Sequence, residues 1–256
     1  MSSSLVETRS NNLKVSTTTL TQLVVNTSKD DVYMTVRQEL ANMSQNNTVP
    51  DPADLCAALA EAASRGYFST CISLLKEGAE VVNQAIDGAD TNKHYKLADL
   101  LATAQRLKNR QSRNFSLLCS VFVKPSRQND NYAFNLLRAG ADPFFQGGVV
   151  YRLALKYRYG TFISVLRQFC ALPQLAEHAL LGAIYEGDAE SVTNLLERRT
   201  KFTATHYKAV VRTQNQEVMK AIADSKSYNF EMSDFTGFVN STSTDTTPVN
   251  TEGTSN

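Results

Sequence analysis

From position 51 to about 230, apolar residues recur at helical spacing in short runs, each closed by a glycine or a polar break. Asp51 is a natural helix cap and Pro52 a natural first-turn residue. Residues 53–64 then carry Leu55, Leu59, Ala62 and Ala63 on one stripe, and Gly66 suits the left-handed position that stops a helix. A second run over 68–77 carries Cys71, Ile72, Leu74 and Leu75 and stops at Gly78. Two helices so close in sequence must fold back as an antiparallel pair.

That unit recurs. Residues 131–143 repeat the second helix and its glycine stop at Gly140. Further pairs are predicted from 153–156 through 162–166, from 179–183 through 191–196, and from 209–211 through 217–222. Equivalent positions between the two helices fall at Gly66, Arg158, Gly187 and Gln214. The later steps, 158 to 187 and 187 to 214, are nearly equal, and the step from Gly78 to Gly140 is about twice as long. A period near 30 with two helices per unit predicts an all-α solenoid of stacked antiparallel helix pairs. Each pair leaves an apolar face that the next pair covers. Small residues such as Ala63, Ala154 and Ala183 allow close approach. Residues 84–128 read as an irregular unit: a turn at Asp87-Gly88-Ala89-Asp90, a helix over 95–108, and an apolar run over 115–123 before Pro125.

Ala62-Ala63-Ser64-Arg65-Gly66 with Leu74-Leu75-Lys76-Glu77-Gly78-Ala79-Glu80-Val81 resembles the ankyrin-repeat core, A-A-x-x-G-H…L-L-x-x-G-A-D-V. Leu136-Leu137-Arg138-Ala139-Gly140-Ala141-Asp142-Pro143 resembles its end, and Gly182-Ala183-Ile184-Tyr185-Glu186-Gly187-Asp188 with Val192 and Leu195-Leu196 its middle. The resemblance spans roughly residues 53–225, in the style of the degenerate ankyrin arrays of large fungal proteins. It implies about five helix pairs and a protein-binding role without catalysis. The family's T-P-L-H corner hydrogen-bonds its own turn. Ala57-Ala58-Leu59-Ala60 and Val149-Val150-Tyr151-Arg152 stand at matching places and cannot reproduce its Thr–His hydrogen bonds.

The flanks differ. Residues 1–50 form a Ser-, Thr- and Asn-rich extension with one amphipathic helix over 28–46, in which Val32, Val36, Leu40 and Met43 share a face. Residues 13–25 are compatible with a strand or an unpaired extension. Residues 231–256 are predicted to be a disordered Ser/Thr-rich tail, since little in them can be buried.

Composition narrows the function. Lys and Arg number 26 against 25 Asp and Glu, a net charge of +1, which argues against bulk attraction to nucleic acid or anionic lipid. No run approaches a membrane span, and the N-terminus lacks the pattern of a secretory signal. The expectation is a cytoplasmic protein without membrane association, with the nucleus left open. Cys56, Cys71, Cys119 and Cys170 lack zinc spacing and read as small buried hydrophobes.

No catalytic or phosphate-binding motif is present, and His94, His178 and His206 stand apart in ordinary polar surroundings, so no enzyme, cofactor or metal is expected. Two clusters remain. Phe144 and Phe145 in a finger-like loop, with Arg152, Lys156 and Arg158 beyond it, carry residue types suited to interfaces. They predict a protein partner on the concave face and inter-repeat loops, with the phenylalanines as anchors and the cations as charge readers. On that reading Arg152→Glu leaves folding intact and abolishes binding. The alternative is a helical nucleic-acid binder using segment 106–127, through Arg106, Lys108, Arg110 and Arg113.

Overall fold

The structure, a computed structural model, describes residues 19–107, 109–123 and 125–225; the expected tail at 231–256 and the extension before residue 19 lie outside them. The described residues are all-α, with fourteen helices and no strand. They divide into two compact units at Ser112 and Arg113.

The first unit holds α1 (Leu20–Asn26), α2 (Val32–Gln45), α3 (Pro52–Ser64), α4 (Phe68–Lys76), α5 (Asn83–Thr91) and α6 (Tyr95–Gln105). Helix α3 starts as its sequence dictates: the Asp51 carboxylate accepts from Ala53 N–H at 3.2 Å and Pro52 fills the first turn. It buries Leu55, Ala58, Leu59, Ala62 and Ala63 between α1 on one side and α5 on the other. Helix α4 packs on α3 and α2, burying Cys71, Leu74 and Leu75.

The N-terminal segment is part of this unit. Helices α1 and α2 form a pair of their own, burying Leu20 and Val24 on α1 and Val32, Val36 and Leu40 on α2. The Asp54 carboxylate of α3 accepts from Leu20 N–H at 2.6 Å, Thr21 N–H at 3.1 Å and the Thr21 hydroxyl at 2.7 Å. A negative charge thus sits on the positive end of α1. Residues 20–26 are helical because Thr19 and Gln22 form a capping box and Asp54 satisfies two more end amides.

The expected turn at Asp87–Asp90 is instead helix α5, which buries Ala85 and Ala89. Gly88 does not break it, because one glycine in a helix costs only about 1 kcal/mol and packing on α3 and α6 compensates.

The second unit holds α7 (Arg113–Phe122), α8 (Arg127–Arg138), α9 (Phe145–Lys156), α10 (Gly160–Leu166), α11 (Leu172–Glu186), α12 (Ala189–Glu197), α13 (Ala204–Thr213) and α14 (Gln216–Ala223). The first helices of successive pairs pack side by side, α7 on α9, α9 on α11 and α11 on α13. The second helices line up behind them, α8 on α10 and α12 on α14. Phe115, Leu117, Leu118, Phe162 and Leu166 are among the fully buried side chains.

The reversals share one geometry. Gly66, Lys93, Arg158 and Gly187 each have positive φ, and the step from 66 to 93 nearly matches the step from 158 to 187. At each, the amide donates to the carbonyl three positions back, and the next amide donates five positions back. Gly66 to Ala63 (3.0 Å) with Tyr67 to Ala62 (2.9 Å), and Arg158 to Leu155 (3.0 Å) with Tyr159 to Ala154 (2.8 Å), are examples. This is the Schellman closure. Gln214, one similar step beyond Gly187, is also left-handed with φ +48°. The same closure ends second helices at Gly78, Gly140 and Arg199.

Two outcomes check this packing. Gln214→Gly removes left-handed strain and should raise unfolding free energy by about 0.5–1 kcal/mol in urea melts. Ala63→Leu, at a site with no exposed surface, should overpack α3 and lower it by about 1–3 kcal/mol.

Candidate functional site

The segment from Asp142 to Arg158 folds from a backbone that few residues tolerate. Gln146, Gly147 and Gly148 are left-handed in succession, with φ of +48°, +59° and +63°, before the regular turns of α9 begin. The two glycines meet two demands. They adopt positive φ without a Cβ clash, and Gly147 lies against the backbone of Gly182 in α11, where a Cβ on Gly147 would meet Gly182 Cα at 2.6 Å. A Cβ on Gly182 would in turn meet the Gly147 carbonyl oxygen at 2.5 Å. The Gly147-Gly148 dipeptide is the sequence signal for this turn.

Ahead of it, Asp142 holds the chain. Its amide donates to Asn114 Oδ1 at 2.8 Å, and its carboxylate accepts from Phe144 N–H at 2.8 Å. Phe144 is half-buried, with its ring edge-on to His178 at 5.4 Å. Phe145 is half-buried beside it.

Arg152 is not on the surface. The residue is 4% exposed, and its guanidinium donates to Glu186 at 2.7 Å, to Asp188 at 3.2 Å and to the Gln146 carbonyl at 3.4 Å. Asp188 also caps α12 by accepting from Ser191 N–H at 3.0 Å. One cation therefore ties the left-handed turn, the end of α11 and the start of α12 together. Its Nε is buried without a hydrogen-bond partner. The expectation that Arg152 reads a partner's charge is corrected: helical spacing puts it on α9 with Lys156, but Arg152 is covered by Glu186 and Asp188 at the junction of α11 and α12, while Lys156 one turn on reaches the surface. Lys156 is exposed and sits 3.4 Å from Glu190, a surface pair worth at most about 1 kcal/mol. Arg158 is exposed, is left-handed at φ +57°, and its side chain has no hydrogen bond or ion pair among the described residues.

The five residues thus do not form one patch. Phe144 and Phe145 stand at the start of α9, Arg152 is buried in its middle, and Lys156 and Arg158 are at its end. Eight residues of regular helix, roughly 12 Å, separate the ends. Tyr157 and Tyr159 pack inward as part of an aromatic cluster with Phe122, and burial raises the Tyr151 phenol above its ordinary pKa.

A second buried polar side chain, His206, stands in the first turn of α13. His206 is buried, and its Nδ1 accepts from Thr203 N–H at 3.0 Å and lies 2.7 Å from the Thr203 hydroxyl. The proton is therefore on Nε2, which donates to the Glu177 carbonyl of α11 at 2.8 Å. The signal was legible as Thr203-Ala204-Thr205-His206, a T-x-x-H ahead of a helix, and was missed among the dispersed histidines. Tyr185 was also missed. It is 52% exposed on α11, one repeat step beyond Lys156 and one before exposed Arg212, in the same register as the turns.

The basic segment is not one exposed strip either. Arg106 closes α6 and is exposed. Arg110 is half-buried, donating to the Ala104 carbonyl at 3.0 Å and the Ala79 carbonyl at 2.7 Å. Arg113 opens α7 in the second unit, and Lys108 lies outside the described residues. Of the cysteines, Cys71 and Cys119 are buried and Cys56 and Cys170 half-buried, all as free thiols; burial pushes the Cys71 thiol far up in pKa. Among the described residues no helix is long and apolar enough to cross a membrane, and no three His, Cys, Asp or Glu side chains are grouped to hold a metal ion. No family model, curated protein or solved structure matches the chain.

Arg152→Glu places a carboxylate between two others in a buried site, and should cost about 3 kcal/mol or more in denaturant unfolding. Gly182→Ala ordinarily stabilises a helix by roughly 0.5–1 kcal/mol. Here it should instead destabilise by about 1–3 kcal/mol, because the Gly147 backbone has no room to withdraw.

Proposed function

We propose that this protein is a non-catalytic protein-interaction module, built as a solenoid of degenerate ankyrin-like helix pairs. Side-by-side packing of first helices within each unit supports the solenoid reading, as do left-handed turns that recur at a nearly constant step. Thr203 and His206 make hydrogen bonds of the kind that the family's T-P-L-H corner makes, two residues ahead of the place that matches Val149-Val150-Tyr151-Arg152. Within the first unit, α1 packs on α3 and α3 on α5 in the same side-by-side manner.

The observation that carries the binding role is Arg158. A left-handed turn favours glycine, as at the equivalent Gly66 and Gly187, although Lys93 also adopts it. An arginine there costs about 1–2 kcal/mol of backbone strain, yet among the described residues its guanidinium makes no hydrogen bond or ion pair that would offset it. Strain retained at an exposed side chain points to use from outside. Lys156, Tyr185 and Arg212 occupy equivalent exposed positions on the adjoining helices α9, α11 and α13. Two cations flanking a tyrosine suit a partner segment with acidic and apolar side chains. Preformed helices present this row with little backbone ordering cost on binding.

Affinity capture of partners from the native cell, quantified by mass spectrometry, tests the reading with Arg158→Gly and Tyr185→Ala. Arg158→Gly should leave the melting temperature equal or higher and lower recovery of a specific partner by about tenfold. Unchanged recovery with both variants would sink the proposal.

A further inference from the structure

The first unit treats a second arginine differently from Arg152. Arg110 is half-buried, and only two neutral carbonyls, Ala79 and Ala104, accept from it. No carboxylate lies within ion-pair reach, and its Nη2 makes no hydrogen bond among the described residues. Burial lowers its pKa from the ordinary value, opposed by the more distant charge of Glu80. Where Arg152 contacts two carboxylates of its own chain, Arg110 contacts none among the described residues.

It lines a cavity of about 710 Å³ between the turn after α4 and the turn after α6. That lies within the roughly 300–1,000 Å³ typical of small-ligand sites. The wall also carries Lys76, Gly78, Glu80, Gln105 and Gln111. It is pinned by side chains that reach back to backbone. Gln105 donates to the Val81 carbonyl at 3.1 Å and to Asn83 Oδ1 at 3.0 Å, and Gln111 donates to the Lys76 carbonyl at 3.1 Å. Arg110 is held by the same scaffold, so its planar fork is fixed before any ligand arrives. A fixed guanidinium whose Nη2 makes no hydrogen bond among the described residues suits an oxyanion. Gly78 has nothing within 4 Å of where its Cβ would stand, so the rim beside it is open.

We infer that this cavity is a binding site for the oxyanion of a peptide, a carboxylate or a phosphorylated side chain, seated on Arg110 with Lys76 beside it. Nucleic acid is the poorer occupant, because its affinity comes from several phosphates read by a row of cations, and this cavity offers one fixed arginine with Glu80 in its wall. The inference does not rest on the binding row around Arg158, which is in the other unit.

The test titrates inorganic phosphate and, separately, N-acetylglutamate into the ¹⁵N-labelled full chain, at ionic strength held constant with chloride. The Arg110 Nε–H signal and the amides of Gly78, Gln105 and Gln111 should shift saturably with at least one of the two probes; which probe does so identifies the source of the oxyanion. Arg110→Gln should weaken the response by about tenfold or more. Because that variant also loses two hydrogen bonds that brace the turns, exposed Glu80 supplies a second reading. Glu80→Gln removes the cavity's carboxylate and should tighten binding by about threefold, which a merely bracing Arg110 would not produce. Absence of saturable shifts, shifts spread equally over Arg106 and Arg113, or no gain from Glu80→Gln would overturn the inference. So would tighter, steeply salt-dependent binding of a single-stranded oligonucleotide through Arg110. Partner capture that fails with Arg158→Gly but survives Arg110→Gln separates this site from the proposed module function.

Discussion

Short helices in two layers must reverse direction after only two or three turns, and each reversal must leave its last carbonyls satisfied. That constraint shapes the rest of the structure. The left-handed closure answers it by pairing two late carbonyls with the two amides that follow. The next helix then starts within two residues and falls back on the first. From Gly66 to Gly187 the closure repeats with nearly constant hydrogen-bond lengths, whether the residue is glycine, lysine or arginine. With the connection so short, the apolar stripe of each pair has no neighbour but the next pair, and alanines at 62, 63, 179 and 183 set how closely the helices approach.

Where the chain turns into a first helix, backbone polar groups are left without partners inside the helix. Two different residues reach such groups, one on α9 and one on α13. His206 ties its own turn through Thr203 and then reaches the Glu177 carbonyl on the neighbouring helix. Arg152 reaches the Gln146 carbonyl of its own turn and then two carboxylates of the next pair. A neutral imidazole needs one acceptor and one donor, whereas a guanidinium in the interior needs anions. Glu186 and Asp188 are therefore best understood as the counterpart of Arg152, beyond their position at the ends of helices.

Cations that lack such a counterpart stand out against this background. Arg158 accepts a strained backbone at an exposed tip, and Arg110 is half-buried against carbonyls alone. Each departs from what stability by itself would select, and such departures are where functional constraint is most readable.

Helix positions, the pairing of adjacent helices and the places of the reversals at Gly66, Arg158, Gly187 and Gln214 were legible in the sequence, because they follow from local periodicity and from spacing. The Asp87–Asp90 segment misled because local propensity there is outweighed by packing on α3 and α6. Residues 20–26 gave no clear signal because half of their helix-starting hydrogen bonds come from Asp54, far along the chain in the next pair. The chain by itself determined an all-α protein of short, paired helices. Only the tertiary structure decided that Arg152 is interior, that Phe144 and Arg158 lie at opposite ends of α9, and that Arg110 opens on a cavity. Which face of a helix meets solvent depends on the neighbour that covers it, and that neighbour is distant in sequence.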